Sequence, residues 1–119
     1  MLNKEVCVLL PFFNEAEILD KVISDLKNND YFILGIDDGS NDDSWKIAKK
    51  AGIQFLRHPT NLGQGAALQT GIEFARLNPK FKYFVTFDSD GQHKVENIQN
   101  MLQPLIEDSA DIVFGTRFQ

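Results

Sequence analysis

The sequence predicts an α/β fold in which a mostly parallel sheet is covered by helices on both faces. Three observations predict it. Five short apolar runs rich in β-branched or aromatic residues recur, at Val6–Leu10, Tyr31–Ile36, Ile53–Leu56, Tyr83–Phe87 and Ile112–Phe114. Segments of helical period lie between them. The runs are apolar throughout rather than at every second residue, the pattern of strands buried on both faces. At 119 residues and 43% hydrophobic, the chain is expected to form a single domain, 1–119. A fold of this mass buries roughly two thirds of the unfolded surface, enough to hold without disulfides.

In chain order, the first strand leads into a helix whose apolar stripe is Ile18, Leu19, Val22, Ile23 and Leu26, with Asn14 as its expected cap and Glu17 completing a box-like pair. The segment Asp42–Ala51 is the second helix, ended by Gly52 as a left-handed residue. Gly65–Leu77 is the third, stopping before Asn78-Pro79. A fourth carries Ile98, Met101, Leu102, Leu105 and Ile106, with Pro104 kinking or shortening it. Five residues beyond the last strand the chain stops at Gln119 with no closing helix, which reads as a C-terminal truncation.

Composition excludes several classes of function. A net charge of −5 without a Lys/Arg cluster argues against a nucleic-acid partner, because that affinity starts from a basic footprint. Cys7, inside Val6–Leu10, reads as a small buried hydrophobe. Without a disulfide framework, a reducing, cytoplasmic setting is expected. No signal peptide is readable ahead of Pro11, and no stretch reaches the ~18 apolar residues of a membrane span.

In open α/β sheets, ligands bind outside the carboxyl ends of the strands where strand order reverses. Four polar clusters fall on that edge: Pro11-Phe12-Phe13-Asn14-Glu15, Asp37-Asp38-Gly39-Ser40, Arg57-His58 and Asp88-Ser89-Asp90-Gly91-Gln92-His93. Asp88, Asp90 and Gln92 offer hard oxygen donors suited to Mg²⁺ or Mn²⁺ rather than zinc, although Asp and Gly also suit a plain strand-to-turn connection. Asp37 and Asp38 repel each other at a strand tip, which favours a ligand role, while Ser40 caps the next helix. Asn61-Leu62-Gly63-Gln64-Gly65 opens a helix with small residues but is not a dinucleotide fingerprint, which would follow the first strand. His58 reads as structural or solvated, and His93 as a phosphate contact or a turn cap. Trp45 and most of the ten Phe read as packing, with Phe13 set apart at the ligand edge.

Taken together, VLLPFFNEAE, IDDGSNDDSW, NLGQGAALQTGIEFA, FDSDGQH and DIVFGTRF resemble, in order and spacing, the family 2 inverting glycosyltransferases. The branch resembled most is that of the dolichyl-phosphate mannose synthases and bacterial polyprenyl-phosphate glycosyltransferases. The resemblance implies a GT-A fold whose Rossmann-like half binds nucleotide. It implies that Pro11, Phe13 and Glu15 surround the nucleoside, that Ile36, Asp37 and Asp38 belong to the nucleotide site, and that Asp38 contacts the base. Phe13 stands where the family more often has Tyr, which keeps the stacking face and loses a hydroxyl. Asp88, Asp90 and Gln92 match the Asp-x-Asp-x-Gln element that holds a divalent cation against the diphosphate, with Ser89 contributing backbone. Arg117 matches an arginine directed at the diphosphate.

These residues lead to the expectation of a metal-assisted, inverting transferase that passes a sugar from a UDP- or GDP-sugar to a polyprenyl phosphate or a saccharide. A metal and a guanidinium neutralise the departing diphosphate without a protein nucleophile. The catalytic and acceptor-side residues are expected beyond Gln119, as is any membrane contact, so the chain is expected to bind nucleotide with little or no transfer. In the full-length protein the resemblance implies the cytoplasmic face of the membrane. An uncovered final strand is expected to invite self-association into a homo-oligomer. A nucleotide-binding relative without turnover is the alternative. A receiver-type signalling module is set aside, because the positions of its acidic pair and phosphoacceptor hold Pro11-Phe12 and Arg57-His58.

Overall fold

The computed structural model describes residues 2–87, 98 and 112–113. After a short 3-10 turn at Leu2–Glu5 come β1 (Val6–Phe12), α1 (Ala16–Lys27), β2 (Phe32–Asp37), α2 (Ser44–Ala51), β3 (Gln54–Arg57), α3 (Gln64–Ala75), β4 (Tyr83–Thr86) and β5 (Ile112–Val113). The strands form one sheet in the order β3-β2-β1-β4-β5, and each adjacent pair is parallel. Strand order therefore reverses at β1, which lies between β2 and β4.

Two apolar layers sandwich the sheet because successive strand side chains point to opposite faces. Val6, Val8, Leu10 and Phe12 join Leu19, Val22, Ile23 and Leu26 of α1 and Ala48 of α2 on one face. Cys7 and Leu9 join Leu34, Ile36, Ala67 and Ala75 on the other, beneath α3. All seven residues of β1 are buried, as a strand covered on both faces must be. Burial pushes the Cys7 thiol up to about 12, so it acts as a hydrophobe and not as a nucleophile. Gly71 is the point of closest approach of α3, where a Cβ would stand 2.8 Å from Cδ1 of Ile36.

β1 runs two residues beyond the apolar run that predicted it, through Pro11 and Phe12. Leu9 O accepts the Phe87 N–H on the β4 side, and Phe12 O accepts the Asp38 N–H on the β2 side. Pro11 is in phase with Leu9, so the N–H it lacks would face β4. Pairing with β4 has ended by then, at Leu9 and Thr86, whereas pairing with β2 continues to Phe12 and Asp37. A proline is tolerated because no ladder bond is lost there. Helix α2 ends at Gly52, φ 79°, as the sequence predicts. Of the predicted fourth helix only Ile98, helical and buried, belongs to the described residues. No helix among them is long and apolar enough to cross a membrane.

Candidate functional site

The end of pairing between β1 and β4 opens the carboxyl edge of the sheet at the point where strand order reverses. Phe13, Asn14 and Glu15 leave β1 there, and Phe87 carries the chain toward Asp88. Phe13 is 39% exposed in this position, an aromatic face that the core leaves uncovered.

Side chains tie the loops of this edge to one another. Asn14 has φ 54°, a left-handed conformation that Asn tolerates better than most residues. Its N–H donates to Ser40 Oγ at 2.9 Å, and its Oδ1 accepts the N–H groups of Asn41 at 2.8 Å and Asp42 at 3.3 Å. The Glu15 N–H donates to Ser44 Oγ at 2.9 Å, and the Ala16 N–H to Asp42 Oδ2 at 3.2 Å. The expected cap of α1 is corrected accordingly. Asn14 does not cap the helix; the early N–H groups at its start are satisfied by Ser44 and Asp42 of the neighbouring loop. Burial pushes the Asp42 carboxyl up, but the hydroxyl and N–H of Ser44 and the N–H of Ala16 outweigh it and hold it below the usual carboxylate range.

With the loop after β1 as the first, the paired carboxylates at the tip of β2 serve the second loop, 38–43 after β2, and the third, 59–63 after β3. Asp37 is fully buried; Oδ1 accepts the Ser40 N–H at 2.8 Å, and Oδ2 faces Nε of Arg57 at 3.2 Å without a hydrogen-bond alignment. Arg57 also donates to Ser40 O, and its guanidinium lies over the Trp45 ring at 4.8 Å. Asp38 Oδ1 pairs with His58 Nδ1 and accepts the Leu62 N–H, both at 2.9 Å. Its Oδ2 accepts the Gly63 N–H at 2.8 Å and Nδ2 of Asn61 at 3.1 Å. Burial pushes the Asp38 carboxyl up, but the Leu62 N–H, the His58 ring and the Gly63 N–H hold it below the usual range. His58, buried, also reaches Thr70 Oγ1 at 2.9 Å, so it is structural, one of the two roles expected. Gly39, φ 82°, lets the second loop pass the third, for a Cβ there would stand 2.4 Å from the Thr60 carbonyl carbon.

The predicted site residues thus divide. Phe13 is partly exposed and Glu15 is half-buried, while Pro11 is buried in β1. Ile36 is fully buried under α3, so the ligand contact expected of it is corrected to a packing role. The carboxylate of Asp38, the residue expected to contact the base, is already engaged within the fold. A carboxylate has about four acceptor positions, and four donors occupy these. A base reaches this carboxylate only by displacing one of them. Asp88, Ser89, Asp90, Gln92, His93 and Arg117 lie outside the described residues. Among the described residues no cluster of His, Cys, Asp or Glu is placed to hold a metal ion. Asp88, Asp90 and Gln92, the expected metal donors, are among those outside the described residues; their side chains carry the hard oxygen atoms that suit Mg²⁺ or Mn²⁺. The sequence reading missed the loop-tying roles of Asn14, Asp42 and Ser44. Their only signal is a clustering of Asn, Asp and Ser in two segments that the topology brings together.

Comparison with known proteins follows the same lines. A UDP-N-acetylglucosamine–dolichyl-phosphate N-acetylglucosaminyltransferase of Methanococcus voltae is 32% identical over 138 residues, covering 100% of this chain and 54% of that protein. An uncharacterised protein of Methanocaldococcus jannaschii is 40% identical over 118 residues, covering 98% of this chain and 48% of its own length. The chain spans about half the length of these relatives. The structure of Mycobacterium tuberculosis glucosyl-3-phosphoglycerate synthase, solved with Mn²⁺, UDP and glucosyl-3-phosphoglycerate, superposes with a TM-score of 0.69 at 23% identity. It covers 84% of this chain and 39% of that one, and the likeness shows a shared fold, the GT-A type. Residues 7–119 match the glycosyl transferase family 2 pattern, and the chain belongs to that family.

Proposed function

We propose that this chain is the donor-binding part of a transferase that takes a sugar from a nucleoside diphosphate sugar and passes it, with inversion, to a polyprenyl phosphate or a saccharide. The observation that carries the reading is the parting of β1 from β4 beyond Leu9 and Thr86. Phe13 and Glu15 follow β1 at this switch point, where an open sheet of this order has its crevice. Crevices of this kind are where open α/β sheets take nucleotides. Membership of family 2, and the M. voltae relative named for a dolichyl-phosphate acceptor, support the reaction class and the acceptor.

In this reading the exposed ring of Phe13 stacks on the base or ribose, and the backbone of residues 13–16, fixed by the second loop, sets its angle. Asp88, Asp90 and Gln92 would hold Mg²⁺ or Mn²⁺, which when bound neutralises charge on the diphosphate leaving group. Arg117 adds a fixed positive charge toward the same group. Asp37, Arg57, Asp38 and His58 position the loops, so the family's paired carboxylates act here through backbone.

Thermal unfolding with UDP, GDP and their sugars, each with Mn²⁺ and with chelator, tests the reading. A nucleotide bound to the native state raises stability by about 2.7 kcal/mol at a hundredfold excess over its Kd. The expected result is a rise in Tm that requires Mn²⁺ or Mg²⁺ and is abolished by Asp90→Ala. Absence of a shift with every nucleotide, or equal shifts with and without chelator, overturns it.

A further inference from the structure

The loop after β1 and the loop after β2 are joined by side chains acting on backbone groups 26 to 29 residues away. Asn14 is the centre of this junction. It is exposed, it takes a positive φ, and it stands between Phe13 and Glu15, the two residues that the donor-site reading sets around the nucleoside. Resting on the donor-site reading, we propose that Asn14 is a positioning residue that locks the first loop onto the second before the nucleotide arrives.

Phe13 joins Asn14 to the end of β1. Its ring is 39% exposed, so packing fixes its direction only in part, and the backbone that carries it sets the rest. That backbone is held at Asn14 and at the two residues after it by N–H groups donated to the second loop: Asn14 to Ser40 Oγ, Glu15 to Ser44 Oγ and Ala16 to Asp42 Oδ2. The acceptors stay in place because the loop that bears them is itself held by Asn14 Oδ1, through Asn41 and Asp42, and by Ser44 Oγ donating to Asp42 Oδ1 at 2.6 Å. Each loop is thus the template for the other. With the Asn14 carboxamide removed, two N–H groups lose their acceptor and both loops gain alternative conformations. A ligand that needs one of those conformations must then order the loops as it binds, and its affinity falls by the cost of that ordering.

The substitution Asn14→Gly removes the acceptor while keeping the positive φ easy, and Asn14→Asp restores an acceptor on a residue that also tolerates this φ. The side chain is exposed, so the added charge is screened by salt. Three readouts on the 119-residue chain are compared with wild type: the calorimetric Kd for UDP or GDP with Mn²⁺, the Tm, and hydrogen exchange at the amides of Asn41 and Asp42. Asn14→Gly is expected to weaken nucleotide binding by roughly tenfold, with faster exchange at those two amides and a nearly unchanged Tm. Asn14→Asp is expected to recover affinity and protection. Should Asn14→Gly fail to fold, Ser40→Ala frees the Asn14 N–H and is expected to weaken binding in the same way. Wild-type affinity in Asn14→Gly, or in Ser40→Ala where that variant stands in, overturns the proposal, as does an Asn14→Asp variant as weak as the glycine one. If the wild-type chain binds no nucleotide, the donor-site reading fails, and unchanged protection at Asn41 and Asp42 in Asn14→Gly then overturns the lock by itself.

Discussion

Among the described residues Asp38 carries the heaviest load of any side chain at this edge, because four donors, three from the third loop and one from His58, converge on one carboxylate. Its replacement leaves the N–H groups of Leu62 and Gly63 and the His58 ring without their acceptor, and each buried unpaired group costs about 1–3 kcal/mol before water and relaxation recover part of it. Asp38→Ala is therefore expected to lower stability by roughly 2–4 kcal/mol in urea unfolding. Affinities for a nucleoside and for pyrophosphate are expected to fall together in Asp38→Asn, because the loop moves as a whole. A loss confined to the nucleoside would return the carboxylate to direct base contact. From sequence, Asp37-Asp38 stood out as adjacent like charges, and the need for compensation was legible. What compensates them was not, since Arg57, His58 and the N–H groups of residues 62 and 63 arrive from about 20 positions or more along the chain.

At the scale of elements, two glycines separate a backbone requirement from a packing one. Gly39 has φ 82°, and an added Cβ meets backbone atoms of Thr60 and Asn61 at 2.4–2.8 Å, which belong to the third loop and cannot swing away. Gly71 sits in helical conformation, and its added Cβ meets the flexible end of Ile36 at 2.8 Å. Gly39→Ala is expected to cost about 3 kcal/mol or more, the sum of the left-handed strain and the clash. In Gly71→Ala, overpacking of about 1–3 kcal/mol is offset by about 1 kcal/mol of helix propensity, so the loss is smaller. Guanidinium unfolding midpoints for both variants check the order, and equal losses would contradict it. The elements themselves were legible because β1, β2 and β4 lie in near-continuous apolar runs and α1 carries an apolar stripe, while β3, Gln54–Arg57, at the end of the strand order, is polar and exposed at both ends. Their ends were less so. β1 continues through Pro11 because a neighbour has departed, and α1 begins at Ala16 rather than under an Asn14 cap because the acceptors lie in the next loop. No local pattern carries either fact.

For the molecule as a whole, 17 acidic and 12 basic side chains give a net charge of −5, so the acid limb of stability is set by what its carboxylates do on folding. Asp38 and Asp42 both have native pKa values held below the unfolded one by donors pointing at them. A carboxylate with a depressed native pKa binds fewer protons folded than unfolded. Its stabilisation is fully present above the unfolded pKa of about 4 and is lost as pH falls through the native one. Both carboxylates hold loops of the same edge, so acid should weaken that edge and the global fold together. Wild type is expected to lose stability progressively below roughly pH 4. The Asp42→Asn chain starts less stable at pH 7, because the amide cannot serve Ser44 and Ala16 as the carboxylate does. Its difference from wild type is expected to shrink as the carboxylate of the wild type is protonated. Urea midpoints of both proteins between pH 7 and pH 2.5 measure that difference directly. A gap as wide at pH 2.5 as at pH 7 would mean that the shape of the Asp42 side chain, and not its charge, holds the two loops together.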